Sequence, residues 1–339
     1  MDKLHLRHEV KQILQFPTDT IAIDYLDENG ESYPPEIIII FLPGNPGLVH
    51  WYIPLLKELV HRLGRGFAAR GISYAGHGVT SDMVTVETFE GSAERDVSIA
   101  WTIHGQVRHK IAFIDEVTLE IKTLGGQLPR FIFLSHSIGC HLAQRICVLR
   151  PDILKKTLLL LHLMPFIRMD APFQQQRLLN AIAYHPDLAI NMGKVILTII
   201  SVLPREWVDH AMTETVPDGD ARDIAVNLVR LPTFARNFFE LGGEEIRELP
   251  QKTDVSALRL LGSFCRVEML FVGGPDHWAP QCHADDLQVL QQQGLIPESI
   301  GWTILPKLKH DFVVHPLMLP PVVEFCFTSI RNVLPVARL

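Results

Sequence analysis

The segment from Phe131 to Gly139 constrains the fold of this chain more than any other. Four apolar, strand-forming residues lead into Ser135-His136-Ser137-Ile138-Gly139, and residues 140–149 then have the pattern of a helix. A strand that turns so abruptly into a helix lifts the middle serine out of the sheet, an arrangement called a nucleophile elbow. Such turns usually read Gly-x-Ser-x-Gly because the two backbones nearly touch, and Ser135 here replaces the first glycine. The pattern predicts an accessible Ser137 hydroxyl, and an ordinary strand-loop-helix with a buried serine is the alternative.

Short apolar runs on both sides of this segment predict a mostly parallel sheet. Residues 36–42 are a continuous β-branched run that is too short for an amphipathic helix, which favours a strand buried on both faces. Further strands are expected at 66–74, 157–161, 267–272 and 302–305. Helical patterns lie between or after them at 52–63, 107–124 and 320–333. This alternation is typical of a sheet that is covered by helices on both faces.

The sequence predicts a hairpin at the start of the core and a long insertion within it. Strand-like runs at 9–16 and 20–25 flank Pro17-Thr18-Asp19, which predicts the turn of a hairpin. About 100 residues separate Leu161 from Val267, far more than a normal crossover needs. Helical patterns occur in this gap at 173–183, 188–203, 221–228 and 244–249. We therefore expect a core formed by residues 1–162 and 267–339, with a helical lid inserted at 163–266.

Composition excludes several classes of function. The net charge of −7 and the lack of a Lys/Arg cluster argue against nucleic-acid binding. The five cysteines are widely spaced and form no Cys-x-x-Cys, which argues against a disulfide framework and against a zinc site. No phosphate loop or dinucleotide fingerprint occurs. The sequence also contains no run of about 18 uncharged apolar residues, the length that would predict a membrane span. We expect a chain without cofactor, without metal and without nucleic-acid partner.

A nucleophilic serine needs a histidine base, a carboxylate that orients the histidine, and N–H donors for the oxyanion. Asp276 follows the predicted strand 267–272 through a glycine-rich loop and is the candidate acid. His310 follows the last predicted strand and is the candidate base, with His315 as the alternative. Three other carboxylates compete with Asp276 for the acid's role: Asp170, Asp285 and Asp286.

Two backbone N–H groups are candidates for the oxyanion hole. Ile138 follows the serine at the start of a helix, where free N–H groups favour negative charge. The second donor is expected in Pro43-Gly44-Asn45-Pro46-Gly47, and Pro46 has no N–H, so Asn45 is the candidate. Two further histidines are interpreted as structural: His77 in a tight turn and His136 beside the serine.

Several motifs together resemble those of the lipid droplet-associated hydrolase family, a branch of the α/β-hydrolase superfamily. They are residues 43–47 with 51–54, 73–78, 105–110, 136–139, 240–244, 275–280 and 310–312. The resemblance implies an α/β-hydrolase fold with a helical lid, and it places the family's catalytic residues on Ser137, Asp276 and His310. It also implies a serine esterase that cleaves neutral-lipid or sterol esters without a cofactor. Ser135 is a departure from the family's usual glycine.

The same resemblance implies peripheral contact with a lipid surface. The resemblance implies a location at the lipid droplet or the endoplasmic reticulum, on the cytosolic face. Residues 188–204 are the most apolar part of the insertion, and either a lid helix packed on the sheet or a helix resting on a lipid monolayer fits them. A droplet-associated protein with little turnover is the alternative function.

Overall fold

The computed structural model describes residues 3–30, 32–78, 98–124, 128–169, 186–231 and 234–334. They form one eight-stranded sheet with the strand order β1-β2-β4-β3-β5-β6-β7-β8. The strands are β1 Lys3–Ile13, β2 Phe16–Leu26, β3 Ile37–Leu42, β4 Phe67–Ile72, β5 Arg130–His136, β6 Thr157–Leu163, β7 Arg266–Val272 and β8 Ile300–Leu305. β2 pairs antiparallel with β1 and β4, whereas all other neighbours are parallel. The predicted mostly parallel sheet is therefore confirmed.

The helices lie between the strands and after them. They are α1 Ile53–Leu63, α2 Ser98–Trp101, α3 Ile103–Thr123, α4 Ile138–Leu149, α5 Pro151–Leu154, α6 Pro186–Val202, α7 Arg205–Met212, α8 Gly219–Val229, α9 Phe234–Glu248, α10 Val255–Phe264, α11 Cys282–Gln292 and α12 Leu319–Asn332. Every residue of β3 and of β6 is buried, as expected for strands covered on both faces. Among the described helices, none is both long enough and apolar enough to cross a membrane.

The N-terminal hairpin exists, but the predicted position of its turn is wrong. The turn is at Leu14-Gln15, with φ angles of 46° and 68°, and Pro17 pairs with Gln12 inside the hairpin. A two-residue turn in the left-handed region matches the twist of the flanking strands. Thr18 and Asp19 are polar and therefore resemble turn residues. Both are completely buried in β2, where each has a side-chain partner.

Helices α6 to α10 connect β6 to β7, where the sequence predicts the insertion. The predicted helix at 188–203 corresponds to α6 and the one at 221–228 to α8, while 244–249 overlaps the end of the longer α9. The predicted helix at 173–183 lies outside the described residues. The sequence patterns missed α7 and α10, although α10 begins with an N-cap in which Asp254 accepts from the amide of Ala257 at 2.9 Å.

Candidate active site

Ser137 occupies the sharp turn between β5 and α4, as the elbow pattern predicts. Its φ of 53° lies in the left-handed region, which costs a residue with a side chain about 1–3 kcal/mol. The surrounding structure holds it there, because its amide donates to the carbonyl of Leu163 at 3.0 Å and its carbonyl accepts from Phe166 at 3.1 Å. This backbone conformation directs the hydroxyl away from the sheet and toward the loops at the carboxyl ends of the strands.

Two glycines allow the backbones to meet around the serine. A Cβ atom on Gly139 would lie 2.4 Å from the carbonyl oxygen of Leu42 and 2.5 Å from that of Pro43. A Cβ on Gly44 would lie 2.7 Å from the Cβ of Ser137. The loop after β3 and the start of α4 are therefore in direct contact, and only glycine fits at these two positions.

Ser135, the departure from the usual elbow pattern, has a specific partner. Its hydroxyl is fully buried and lies 2.7 Å from Nδ1 of His162, the residue opposite it on β6. Burial lowers the pKa of His162 to about 3, so the imidazole is neutral and can share a hydrogen bond with a neutral hydroxyl. The extra oxygen at position 135 therefore has a hydrogen-bond partner within the sheet.

The three candidate catalytic residues form one continuous chain of hydrogen bonds. Ser137 Oγ lies 2.9 Å from Nε2 of His310, and Nδ1 of His310 lies 2.8 Å from Oδ2 of Asp276. Asp276 follows β7, His310 follows β8 and Ser137 follows β5. Parallel strands β5 to β8 end at one edge of the sheet, which brings together residues that are 173 positions apart in the chain.

Asp276 is held in its ionised form. Burial is the largest single influence and raises the pKa of Asp276, but His310 and the amides of Trp278 and Ala279 together outweigh it, so the pKa is lowered. The other carboxylate oxygen, Oδ1, accepts from the amides of Trp278 at 2.8 Å and Ala279 at 3.1 Å. These contacts fix the carboxylate so that it accepts the Nδ1 proton of His310 and leaves Nε2 free to act as a base.

The alternative acids and base lie elsewhere. Asp286 forms an ion pair with Arg168 at 2.6 Å, Asp285 is exposed on α11, and Asp170 lies outside the described residues. His315 contacts Asp311 at 3.2 Å. None of these side chains has a hydrogen bond to Ser137 or His310 among the described contacts.

His136 packs against His310 and forms a hydrogen bond with its backbone. Nδ1 of His136 accepts from the hydroxyl of Tyr52 at 2.7 Å, and Nε2 donates to the backbone carbonyl of His310 at 3.0 Å. The two imidazole rings have their centroids 4.9 Å apart. Burial lowers the pKa of His136 well below its usual range, which keeps this histidine neutral. The sequence predicted packing near the serine, and the contact with His310 was not predicted.

The loop after β3 is fixed beside the serine. The hydroxyl of Tyr74 donates to the carbonyl of Pro43 at 2.7 Å, and Nδ1 of His77 donates to that of Pro46 at 2.7 Å. Burial lowers the pKa of His77 to about 4, so this histidine is neutral. His77 therefore holds the loop in place, in agreement with a structural interpretation. The backbone N–H groups of Asn45 and Ile138 remain the candidates for the oxyanion hole.

The motif at 105–110 folds into a buried network that supports the same region. Lys110 is fully buried, and its Nζ donates to the carbonyl of Ser73 and to Oε1 of Gln106, both at 3.0 Å. Nζ also lies 3.1 Å from Nδ1 of His109 and 4.5 Å from the ring centroid of Tyr74. The motif thus fixes the segment that contacts the oxyanion loop, without reaching the serine itself.

Ser137 and His310 open into a cavity of about 410 Å³. Its walls are mostly apolar, and many come from the helices between β6 and β7. The apolar residues that line the cavity include Met212, Val216, Leu228, Phe234, Phe238 and Trp278. Such a cavity excludes water from a reacting group and accepts an apolar ligand.

Glu245 is a polar residue of this cavity that the sequence analysis did not single out. It lies on α9, is 2% exposed, and lines the same cavity as Ser137 and Asn45. Burial raises the pKa of Glu245 to about 8, although a hydrogen bond from the side chain of Asn45 acts in the opposite direction. The carboxyl is therefore mostly protonated at neutral pH. Its place on a helix with a strongly apolar face is the signal that could have revealed it.

A sheet with this strand order, and a strained serine at the turn after its fifth strand, is the architecture of the α/β-hydrolases. Solved structures agree. A peroxisomal α/β-hydrolase from Saccharomyces cerevisiae aligns with a TM-score of 0.58 at 13% identity, over 98% of this chain and 87% of the other. A monoglyceride lipase from the same yeast aligns with a TM-score of 0.54 at 11% identity, over 98% and 96% of the two chains.

Within that class, the chain belongs to the lipid droplet-associated hydrolase family, whose sequence model matches residues 35–313. A lipid droplet-associated hydrolase from Homo sapiens is 24% identical over 261 residues, which cover 75% of this chain and 74% of the human one. The protein of the same name from Gallus gallus is 23% identical over 262 residues, with the same coverage. A shorter match of 129 residues to the Rattus norvegicus protein reaches 30% identity, over 38% of this chain and 37% of the other.

Proposed function

We propose that this hydrolase is a serine esterase that cleaves the carboxylic esters of neutral lipids or sterols. The observation that carries the proposal is the unbroken hydrogen-bond chain from Asp276 through His310 to Ser137, at the mouth of an apolar cavity. A serine so connected to a base and an oriented carboxylate has the arrangement needed for acyl transfer. The names of the relatives and the apolar walls both favour a lipid substrate.

In the proposed reaction, Ser137 Oγ attacks the ester carbonyl while Nε2 of His310 takes the hydroxyl proton. The tetrahedral intermediate carries its negative charge on the former carbonyl oxygen, where the N–H groups of Asn45 and Ile138 donate. The C–O bond of the ester then breaks, and the alcohol leaves with the proton from His310. Water, deprotonated by the same nitrogen, next releases the acid from Ser137. Asp276 stays ionised and stabilises the imidazolium in both halves.

The helices between β6 and β7 act as a lid in this proposal. Residues of α7, α8 and α9 form one wall of the cavity, so their displacement would open it to a long acyl chain. These helices supply Met212, Leu228 and Phe238, which make that wall apolar.

Helix α6 is the proposed contact with the lipid surface. Its inner side packs against α9, and Gly193 approaches Phe239 so closely that a Cβ there would lie 2.0 Å from the ring. Its outer side, which we call the α6 apolar face, consists of exposed side chains at helical spacing: Leu188, Met192, Val195, Ile196, Ile199 and Val202. Trp207 at the start of α7 is 67% exposed. An exposed apolar stripe of this length fits a helix lying on a lipid monolayer.

Hydrolysis of emulsified triacylglycerol and cholesteryl ester, compared with a short-chain nitrophenyl ester, tests this function. The parent protein should hydrolyse the emulsified esters, and Ser137→Ala should lower the turnover by at least roughly a thousandfold. Equal turnover by Ser137→Ala would exclude this serine. Activity confined to short-chain esters in solution would instead define a hydrolase of small esters.

A further inference from the structure

Three side chains capable of binding a metal ion meet where the N-terminal hairpin contacts the turn that precedes α1. His8 lies on β1, Asp19 on β2, and His50 in the turn between β3 and α1. Nε2 of His8 is 3.0 Å from Oδ1 of Asp19 and 2.9 Å from Nε2 of His50. Nε2 of His50 is 4.0 Å from the same carboxylate oxygen. Three potential ligand atoms from three separate segments thus point at one another.

A simple two-centre hydrogen bond does not account for both contacts of the His8 imidazole. Nε2 of His8 carries either one proton or one lone pair, yet it is within hydrogen-bond distance of two different atoms. If it donates, its single proton must be shared between Asp19 and the Nε2 lone pair of His50. If it accepts from His50, its lone pair faces the carboxylate of Asp19 with no proton between them. A cation placed among the three atoms would satisfy all of them at once.

We propose that His8, Asp19 and His50 bind one Zn²⁺ ion. Two imidazole nitrogens and one carboxylate oxygen are a common set of zinc ligands, whereas calcium and magnesium prefer oxygen alone. Bonds of about 2.0–2.2 Å in a tetrahedron place neighbouring ligand atoms roughly 3.3–3.6 Å apart. The observed separations of 2.9 to 4.0 Å lie around that value, so side-chain movements of well under 1 Å would complete the site.

The burial of the three residues fits a metal site with one side open. The side chain of Asp19 is 0% exposed and that of His50 is 9% exposed, so both are held by the surrounding structure. The side chain of His8 is 35% exposed and borders the solvent, which gives an ion a path of entry and a water molecule for its fourth position.

The location of the site indicates a structural role. His50 directly precedes Trp51 and Tyr52, which line the cavity that contains Ser137. The backbone carbonyl of Asp19 accepts from the amide of Ser73, so β2 is already joined to the segment beside the oxyanion loop. A bound ion would connect the N-terminal hairpin to the loop that carries Asn45 and thereby stabilise the active-site wall. This revises the expectation from sequence that the chain has no metal site.

Binding of Co²⁺ and Zn²⁺ to the full chain, without a histidine tag and after treatment with a chelator, tests the site. Co²⁺ should bind with the visible absorption of a tetrahedral complex, Zn²⁺ should displace it, and titration calorimetry should give one Zn²⁺ per chain. His8→Gln should weaken Zn²⁺ binding at least roughly a hundredfold, since even the loss of an indirect partner of a ligand commonly costs ten- to a hundredfold. His8 is partly exposed, so this variant should keep the fold, which circular dichroism checks.

His5→Gln is the matched control, because His5 lies on the same strand and is not among the three ligands. It should bind Zn²⁺ as the parent does, whereas Asp19→Asn and His50→Gln should lose binding as His8→Gln does. Failure of the parent to bind Zn²⁺ would overturn the proposal. The same holds if a folded His8→Gln variant keeps the parent's affinity, or if His5→Gln loses it.

Discussion

At the scale of single residues, Ser135 shows how a sequence can depart from an expected motif without losing its geometry. The elbow has two positions where glycine is usual, and they differ in what surrounds them. Gly139 faces the backbone oxygens of Leu42 and Pro43, whereas Ser135 faces the imidazole of His162 across the sheet. The first environment has no space for a side chain, and the second supplies a hydrogen-bond partner.

Ser135→Ala should therefore preserve catalysis and reduce stability. We expect ester turnover within about threefold of the parent. The free energy of unfolding should fall by about 1–3 kcal/mol, because His162 loses its buried partner. Kinetic assays and chemical denaturation measure the two effects. A loss of turnover comparable to that of Ser137→Ala would show that the Ser135 hydroxyl takes part in the reaction.

Gly139→Ala, in contrast, should strongly reduce ester turnover. A methyl group there would meet two backbone oxygens at 2.4 and 2.5 Å, so the elbow must shift or unfold locally. We expect turnover to fall at least roughly a hundredfold, since displacement of a reacting group by about 1 Å can cost that much. Gly219→Ala is the control, because a Cβ at Gly219 would contact nothing within 4 Å. Parent-like turnover in Gly139→Ala would contradict the close contact between these backbones.

Glu245 predicts a dependence of stability on pH. Its pKa is raised by burial from a usual value of 4.5 to about 8. Below pH 4.5 the carboxyl is protonated in both folded and unfolded chains. Between pH 4.5 and 8 the unfolded chain ionises first, so the folded state loses stability as the pH rises. Glu245→Gln removes this loss and should exceed the parent in stability by roughly 4 kcal/mol at pH 8 and by little at pH 4.5.

Chemical denaturation at the two pH values measures that difference. Glu248→Gln is the control, because Glu248 is exposed on the same helix. The stability difference from the parent should be smaller at pH 8 for Glu248→Gln than for Glu245→Gln. A pH-independent difference between Glu245→Gln and the parent would contradict a protonated, buried carboxyl in the cavity.

At the scale of secondary-structure elements, α6 has two contrasting sides. The inner side packs so closely on α9 that Gly193 leaves no space for a side chain. The outer side carries six apolar side chains that are exposed in the part of the chain that the structure describes. Exposure of so much apolar surface on one helix is unfavourable in water and is explained if a lipid monolayer covers it.

Val195→Asp should weaken binding to triolein droplets coated with phospholipid. Burial of an aliphatic side chain contributes about 1.5 kcal/mol or more, so the partition constant should fall at least roughly tenfold. Leu119→Asp on α3 is a matched control, because Leu119 is 62% exposed and Val195 is 61% exposed. Flotation of the protein with the droplets measures the bound fraction. An equal effect of the two substitutions would contradict a specific role for the α6 apolar face.

The elements that the sequence predicted well are those in which local pattern and tertiary environment agree. The isoleucine run of β3 and the leucine run of β6 are apolar throughout and buried throughout. The hairpin turn was misplaced because Thr18 and Asp19 look like turn residues, and only partners distant in sequence make them suitable for a strand. The contact of His136 with His310 was likewise invisible, because it joins residues 174 positions apart.

At the scale of the whole molecule, the fold converts distant residues into one site. Ser137, Asp276 and His310 could be selected from the sequence because each follows a predicted strand, and parallel strands end at a common edge. The cavity could not be predicted in the same way, since its walls combine the loop after β3 with three helices that lie between β6 and β7. Its shape depends on packing between elements for which the sequence contains no local signal.

If Ser137 is an activated nucleophile, a fluorophosphonate probe will react with its hydroxyl. Probe and protein are mixed, and the modified residue is identified by mass spectrometry of the digested chain. We predict covalent modification at Ser137, none in Ser137→Ala, and a reaction slower by at least roughly a hundredfold in His310→Gln. Modification of a different residue, or a folded parent protein that does not react, would contradict the claim and favour a droplet-associated protein without turnover.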